Sequence, residues 1–451
     1  MLKSSTYLIP VDFFDEKEKK QKTLVYSTRS NTLKSFPKLV WDRIKVGQTE
    51  KFPDIFIKDL KKDHFLLDAG EDERKTLLSE NREKTVGSSH LYMAIQPTAA
   101  CPLGCGYCGQ KHENKNMNKD VQLQTIDRIN RKISIRKEKG NPYKSLAITW
   151  FGAEPLSGFP VIRKLSPEIL KIVEEEGIKF SSKIVTNGLL LTPNITHELI
   201  HDHKITSYEI TLDGTEDFHD ARRHTKAHGK TFSKIYEHLL NLANNHEEAQ
   251  ITIRCNVDGR NKDGVSPLLQ KLASDGLQDR INFYVAPIHS WGNDAHLISA
   301  EKKEFARWEM NWFMEMMELG FNLSLMPTRS FGCFTVSPEN ELVDPFGEVF
   351  SCSEVSLVPT YEKNGKNQYS LGNLNDTPLI HSDSPWRNFY EEETISKYDC
   401  WTCPLLPACG GGCPKEWSEG RAPCPPPKQN IKERILLTYV KTRMNDKREA
   451  A

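Results

Sequence analysis

The run "CPLGCGYCGQKH", Cys101 to His112, places three cysteines within eight residues among glycines, with Tyr107 directly before the third. It follows "LYMAIQP" (91–97), a short apolar run that reads as a β-strand. Disulfides, zinc and iron are the three chemistries such a loop can serve. The spacing of Cys101, Cys105 and Cys108 is CxxxCxxC. A structural zinc site wants four ligands, usually in two separated pairs. Three thiolates on one tight loop suit three corners of a cubic iron–sulfur cluster, with the fourth iron left open for reaction. A zinc knuckle completed by His112 remains the competing reading of the loop alone.

The rest of the chain narrows the choice. Its 451 residues predict two to four domains, and its 61 basic and 61 acidic residues balance. That balance gives no sign of a nucleic-acid or membrane-surface partner. No apolar run approaches the roughly 20 residues needed to cross a bilayer. The opening "MLKSSTYLIPVDFFDEKEKK" carries only a short apolar patch, interrupted by Asp12 and followed by charge, unlike a secretory signal. The expected location is cytoplasmic, where disulfides rarely persist. Eleven cysteines is also an odd number for a disulfide framework.

Four segments emerge. Residues 1–88 carry two short strands, "TYLIPVDFF" and "KTLVYSTRS", then helices over "FPKLVWDRIKVG" and "FPDIFIKDLKKD". A brief strand "HFLLD", a charged helix "EDERKTLLSENREK" and a polar linker "KTVGSSH" complete a small winged-helix plan. Residues 89–322 alternate strand and helix, the pattern of a parallel α/β fold. Its strands are "LYMAIQP", "SLAITWFG", "SKIVTNG", "SYEITLDG", "QITIRCNV" and "INFYVAPI", with a long helix over "SAEKKEFARWEMNWFMEMMELG" after the sixth. Six such units predict a partial (β/α)6 TIM-like barrel, with its chemistry at the C-terminal ends of the strands. Residues 323–430 lose the alternation and gather Cys, Gly and Pro, so something other than a core is expected to hold them together. A charged helix over 431–451 closes the chain.

The cysteine loop with its Tyr107–Cys108 pair resembles that of the radical S-adenosylmethionine (radical SAM) superfamily, and the likeness continues down the chain. "FGAEPL" at the second strand is similar to the family's GGEP turn, which implies that Gly152, Ala153, Glu154 and Pro155 grip the methionine amine of the cofactor. Ala153 departs from the usual second glycine. "TNG" (186–188) matches the end of the third strand, and "TLDGTEDFHDARR" (211–223) resembles the family's SLDG…HDxxR segment. This implies cofactor contacts from Thr211 and Asp213, and Arg223 near the cofactor carboxylate, with Tyr107 beside the cluster. The implied cofactors are S-adenosyl-L-methionine and a [4Fe-4S] cluster on Cys101, Cys105 and Cys108. A cluster with an open iron can chelate the amine and carboxylate of that cofactor, and one electron then releases a 5′-deoxyadenosyl radical. The cofactor carries the hard chemistry and the protein orients it.

Seven cysteines follow: Cys333 and Cys352, then Cys400, Cys403, Cys409 and Cys413 spaced CxxCx5Cx3C, then Cys424. The pattern resembles the SPASM extension of radical SAM enzymes that modify peptides and proteins. The resemblance implies two auxiliary [4Fe-4S] clusters, three clusters in all. Cys400, Cys403, Cys409 and Cys424 would hold the outer one, and Cys333, Cys352 and Cys413 the inner one. The inner set is one thiol short, and a non-cysteine group, water or the substrate could fill the position. Cys255, on an apolar strand, reads as a core thiol.

The N-terminal unit resembles the leader-recognition domain of peptide maturases, which would add a leader peptide as an extra strand on its sheet edge. The implied function is a peptide maturase that abstracts a hydrogen from a ribosomally made precursor peptide to form an intrapeptide thioether or carbon–carbon crosslink. The implied partners are that precursor and an external electron donor such as flavodoxin or ferredoxin. Peptide epimerisation, sulfatase-type formylglycine maturation and a non-enzymatic iron–sulfur carrier are the alternatives. For the formylglycine branch an aspartate should directly follow Cys352, where Ser353 and Glu354 stand instead. Glu354, Asp344 and Glu348, close in sequence to the inner cysteines, are candidates for a catalytic base.

Overall fold

The protein is described here from a computed structural model covering residues 1–288, 301–376 and 384–449. The ends of two expected helices, Ser299–Ala300 and 450–451, lie outside the described residues.

The first unit contains β1 (Leu2–Ser4), β2 (Leu8–Asp15), β3 (Lys20–Ser27), β4 (Thr32–Pro37), α1 (Lys38–Lys45), α2 (Asp54–Lys62), β5 (Leu66–Asp68) and α3 (Glu73–Val86). The order β2-β3-β4 forms an antiparallel sheet, and β1 pairs with β5. Pro37 and Pro53 stand at the starts of α1 and α2, where a missing N–H costs nothing. Asp72 caps α3 by accepting from the Lys75 amide. Two strands escaped the sequence reading. β1 spans only three residues, and β4, "TLKSFP", has a single buried side chain. The expected linker begins as helix, because α3 runs to Val86.

Six parallel strands follow in chain order: β6 (His90–Ile95), β7 (Ser145–Trp150), β8 (Lys179–Thr186), β9 (Ser207–Thr211), β10 (Gln250–Val257) and β11 (Ile281–Pro287). Helices α4 (Lys119–Glu138), α5 (Phe159–Glu176), α6 (Pro193–His201), α7 (Glu216–Asp220), α8 (Phe232–Asn245), α9 (Val265–Ser274) and α10 (Lys302–Glu318) cover the outer face. Ile95, Ile148, Ile184, Ile210, Ile253 and Leu269 belong to one buried core that joins strands and helices. Among the described residues β11 pairs only with β10, so the barrel is open, as the six-unit pattern predicts.

The cysteine-rich segment does not hang from the barrel by its thiols. Its strand β12 (Glu341–Val343) lies parallel to β6, with Glu341 opposite Met93. β13 (Glu348–Phe350) follows, then the hairpin β14 (Glu362–Lys363) and β15 (Lys366–Asn367), then β16 (Ser370–Asn373). Through β12, β13 and β16 the sheet grows to nine strands. Arg128 on α4 grips the buried Glu341 carboxylate with two bonds of 2.5 and 3.0 Å, and Lys132 adds an ion pair at 2.9 Å. Burial would push Glu341 up, but Lys132 and Arg128 outweigh it and its pKa is lowered. The expectation that no core holds this region is corrected: Ala94, Leu342, Phe350 and Val355 form one apolar cluster, and Phe389, Ile395 and Leu406 belong to another.

Three short helices, α11 (Glu392–Ile395), α12 (Leu406–Cys409) and α13 (Pro414–Ser418), frame the later cysteines: Cys409 ends α12 and Cys413 caps α13, while Cys400 lies in a single 3-10 turn before α12. α14 (Pro427–Glu449) starts four residues before the expected 431 and packs against α10 and β2. The N-terminal unit also touches the cysteine-rich region: Tyr26 donates to the Pro327 carbonyl at 2.5 Å and Thr28 to that of Pro404 at 2.6 Å. Among the described residues no helix is long and apolar enough to cross a membrane.

Candidate active site

The loop after β6 enters a cavity of about 220 Å³ at the C-terminal ends of the barrel strands. Cys101, Cys105 and Cys108 all line it. Every one of the eleven cysteines is a free thiol. Burial pushes the Cys101 thiol up to about 12, with the Glu154 charge adding to the effect. Cys108 Sγ lies 3.8 Å from His112 Nε2, the contact a zinc knuckle would use. Thiolates on one tetrahedral zinc ion, however, stand roughly 3.8 Å apart. Among the described residues no three cysteine sulfurs approach within 4.8 Å of one another. The three loop thiols therefore fit a multi-iron core better than a single zinc ion.

The "FGAEPL" turn divides into two parts. Gly152 and Ala153 line the cavity, while Glu154 and Pro155 are buried behind it. The Glu154 carboxylate accepts from Thr186 Oγ1 at 2.7 Å, the Asn187 amide at 2.7 Å and the Leu156 amide at 3.0 Å. Burial raises its pKa while these donors pull the other way. Gly152 has φ +80°, and a Cβ there would sit 2.2 Å from Gln96 Nε2. Ala153 adopts φ +43°, a left-handed conformation unusual for a residue with a side chain. Its amide donates to Gln110 Oε1 at 3.0 Å, which fixes the turn against the cysteine loop.

Thr211 lines the cavity, whereas Asp213 is wholly buried behind Tyr107. The Tyr107 hydroxyl donates to Asp213 at 2.6 Å and accepts from Arg223 at 2.5 Å and Asn256 Nδ2 at 3.1 Å. The Arg222 guanidinium lies over the Tyr107 ring, 5.0 Å from its centre. Arg223 lines the cavity, and among the described residues its buried Nε has no hydrogen-bond partner. A guanidinium lining a cavity offers charged N–H donors that suit an anionic ligand group such as a carboxylate.

Glu354 reaches the same cavity from the cysteine-rich side. Its side chain is accessible yet surrounded by protein, because it stands in this interior space, and burial raises its pKa. The segment carrying it is stitched to the cysteine loop: the Lys111 amide donates to the Leu357 carbonyl at 2.7 Å, and Ser356 Oγ to Gln96 Oε1 at 2.7 Å. Cys333 and Cys413 both lie close enough to Cys352 to push its thiol up electrostatically, after burial, and Glu354 is the first charge that Cys352 feels. Cys400, Cys403, Cys409 and Cys424 converge on a second, small apolar cavity, with Lys428 Nζ 3.3 Å from Cys424 Sγ.

Asp344 and Glu348 lie outside the active-site cavity. Asp344 accepts from the Phe346 and Glu348 amides in the turn between β12 and β13, and Glu348 accepts from Ser370 and Asn373 of β16. Cys255 is fully buried in the barrel core. The sequence reading missed Asn187, Arg254 and Asn256, which also line the cavity. Arg254 and Asn256 stand on the "QITIRCNV" strand, where period-2 alternation was a signal that they face the lumen.

A partial parallel barrel with a three-thiol loop at its open end defines a class of cluster-dependent barrel proteins. Residues 95–265 match the Radical SAM superfamily, and this segment of the chain is a radical SAM domain. The radical SAM cyclopropyl synthase TigE of Paramaledivibacter caminithermalis (strain DSM 15212) is 22% identical over 350 residues, covering 69% of this chain and 65% of that protein. The chain thus spans less than two thirds of that relative's length. Native anSMEcpe with bound AdoMet shares the fold at TM-score 0.56 and 18% identity, over 79% of this chain and 98% of that one. Native anSMEcpe with bound AdoMet and Cp18Cys peptide matches at TM-score 0.56 and 17% identity, over the same shares of both chains.

Proposed function

We propose that the protein is a radical S-adenosylmethionine enzyme that modifies a ribosomally made precursor peptide, forming an intrapeptide thioether or carbon–carbon crosslink. The observation that carries this reading is the shared cavity. The Cys101–Cys105–Cys108 loop and Glu354 line one space, and Cys333 and Cys352 lie beside Glu354 with Cys413 next to them. The relative TigE is named a cyclopropyl synthase, and one fold neighbour was solved with a peptide bound.

In this reading Cys101, Cys105 and Cys108 hold one [4Fe-4S] cluster, Cys333, Cys352 and Cys413 hold a second, and Cys400, Cys403, Cys409 and Cys424 hold a third. When bound, the loop cluster and S-adenosylmethionine supply a radical able to take a hydrogen atom from an unactivated carbon. Gly152 and Ala153 offer backbone groups toward the cofactor amine, while the Arg223 guanidinium and Thr211 face its carboxylate and ribose side. Glu154, Pro155, Tyr107 and Asp213 hold those walls in place. Glu354 is positioned to take a proton from a peptide side chain entering between the two cysteine groups. The leader would add to β4, the edge of the three-stranded sheet with five of its six residues not buried. A flavodoxin or ferredoxin would deliver the starting electron.

The test is anaerobic reconstitution with dithionite, S-adenosylmethionine and a candidate peptide encoded beside the gene. Release of 5′-deoxyadenosine together with a peptide lighter by two hydrogens supports crosslinking. An unchanged mass with inverted stereochemistry assigns epimerisation instead, and no 5′-deoxyadenosine returns the carrier reading.

A further inference from the structure

At the end of the barrel opposite the cysteine loop, three potential metal ligands meet. His201 is the last residue of α6, His246 caps the C-terminus of α8, and Glu248 lies in the turn that leads into β10. They precede β9 and β10, so they sit at the N-terminal ends of the parallel strands, whereas the cysteine loop follows the C-terminal end of β6.

One ligand atom from each residue falls within 4.8 Å of the other two. His201 Nε2 stands 3.7 Å and His246 Nδ1 3.8 Å from the same Glu248 oxygen, Oε1. Ligand atoms on a tetrahedral zinc ion, at about 2.0–2.1 Å from the metal, are roughly 3.3 Å apart. Closing the site thus needs side-chain shifts of about an ångström, which rotamer adjustment of two half-exposed side chains supplies.

The backbone beneath the site is held in place. Arg280 donates to the carbonyls of Ala243 and His246 at 3.1 Å each, and the Ala249 amide donates to His246 at 3.1 Å. The turn carrying two of the ligands is thereby fixed before any ion binds. His197, one turn earlier on α6, has its ring 4.3 Å from that of His201. Two imidazoles and one carboxylate suit zinc, cobalt or nickel, and do not suit magnesium or calcium, which take oxygen ligands.

We propose that His201, His246 and Glu248 bind one divalent transition-metal ion, zinc being the fitting example. The ion clips α6 to the turn between α8 and β10 and is structural, since it lies across the barrel from the cysteine loop. The site is independent of the function proposed above and can fail without it.

Cluster-loaded protein is titrated anaerobically with zinc chloride by calorimetry, alongside His201→Asn and Glu248→Gln. Both variants change exposed side chains and are checked for unaltered iron content and circular dichroism. The expected result is one zinc per chain at micromolar Kd or tighter, weakened at least tenfold in each variant. Zinc should raise the wild-type thermal midpoint by more than those of the variants. Absence of saturable binding in the wild type overturns the proposal. So does unchanged binding in both variants, which would place the zinc on cysteine thiols.

Discussion

Thr186 at the end of β8 donates a 2.7 Å hydrogen bond to Glu154, which lies just past the end of β7. Glu154 is fully buried, and its other two donors are backbone amides. The carboxylate therefore acts as a tie between neighbouring strand ends, and the turn that exposes Gly152 and Ala153 hangs from it. Replacing Glu154 with Gln turns an N–H toward donors that need an acceptor, which costs about 1–3 kcal/mol. Thermal unfolding of E154Q should show that loss, and S-adenosylmethionine binding should weaken with it. Thr186→Val, which removes one of the three donors, should cost less than E154Q.

Tyr107 shares its loop with the cysteines but binds backward, to Asp213, Arg223 and Asn256. Tyr107→Phe leaves every thiol in place and removes the hydroxyl that positions Arg223. Iron content should match the wild type, while affinity for S-adenosylmethionine falls several-fold. Equal affinity would show that Arg223 is held without the phenol.

Neighbouring substitutions in the "FGAEPL" turn should act in opposite directions. Gly152→Ala drives a methyl group into the Gln96 side chain at a positive φ and should destabilise by about 2 kcal/mol or more. Ala153→Gly relieves a left-handed strain of about 1–2 kcal/mol, partly offset by about 0.5–1 kcal/mol of added chain entropy. A153G should therefore melt at the wild-type temperature or slightly above it. A large loss in A153G would place the strain elsewhere.

Asp344 is buried, and burial raises its pKa from 3.8 to about 7 in spite of the amide donors Phe346, Glu348 and Gly347. The raised value means that the folded state prefers the protonated acid. Its contribution is complete below about pH 4 and is lost as pH rises through about 7. The ionised carboxylate then costs up to roughly 4 kcal/mol. Asp344→Asn keeps the acceptor oxygen and removes the charge. The thermal midpoint of D344N should exceed that of the wild type by more at pH 8 than at pH 5. A constant gap across that range would remove Asp344 as the titrating group.

Local chemistry was legible in the chain. The CxxxCxxC loop, the "FGAEPL" and "TLDG" turns and the strand–helix alternation are short-range patterns, fixed by periodicity and turn residues, and the structure brings their residues to one end of one barrel. What sequence order hid depends on contacts between distant elements. Glu341 reads as an ordinary loop carboxylate until α4 supplies Arg128 and Lys132, 213 and 209 positions earlier, and seats β12 against β6. Asp344 and Glu348 looked as catalytic as Glu354, and only the tertiary structure separates the turn residues from the one in the cavity. The sequence thus determined the ligand types, their spacing and the barrel. Long-range burial decided which carboxylate faces the cysteines and how the cysteine-rich segment joins the sheet, because desolvation and ion pairing act through space and leave no local period to read.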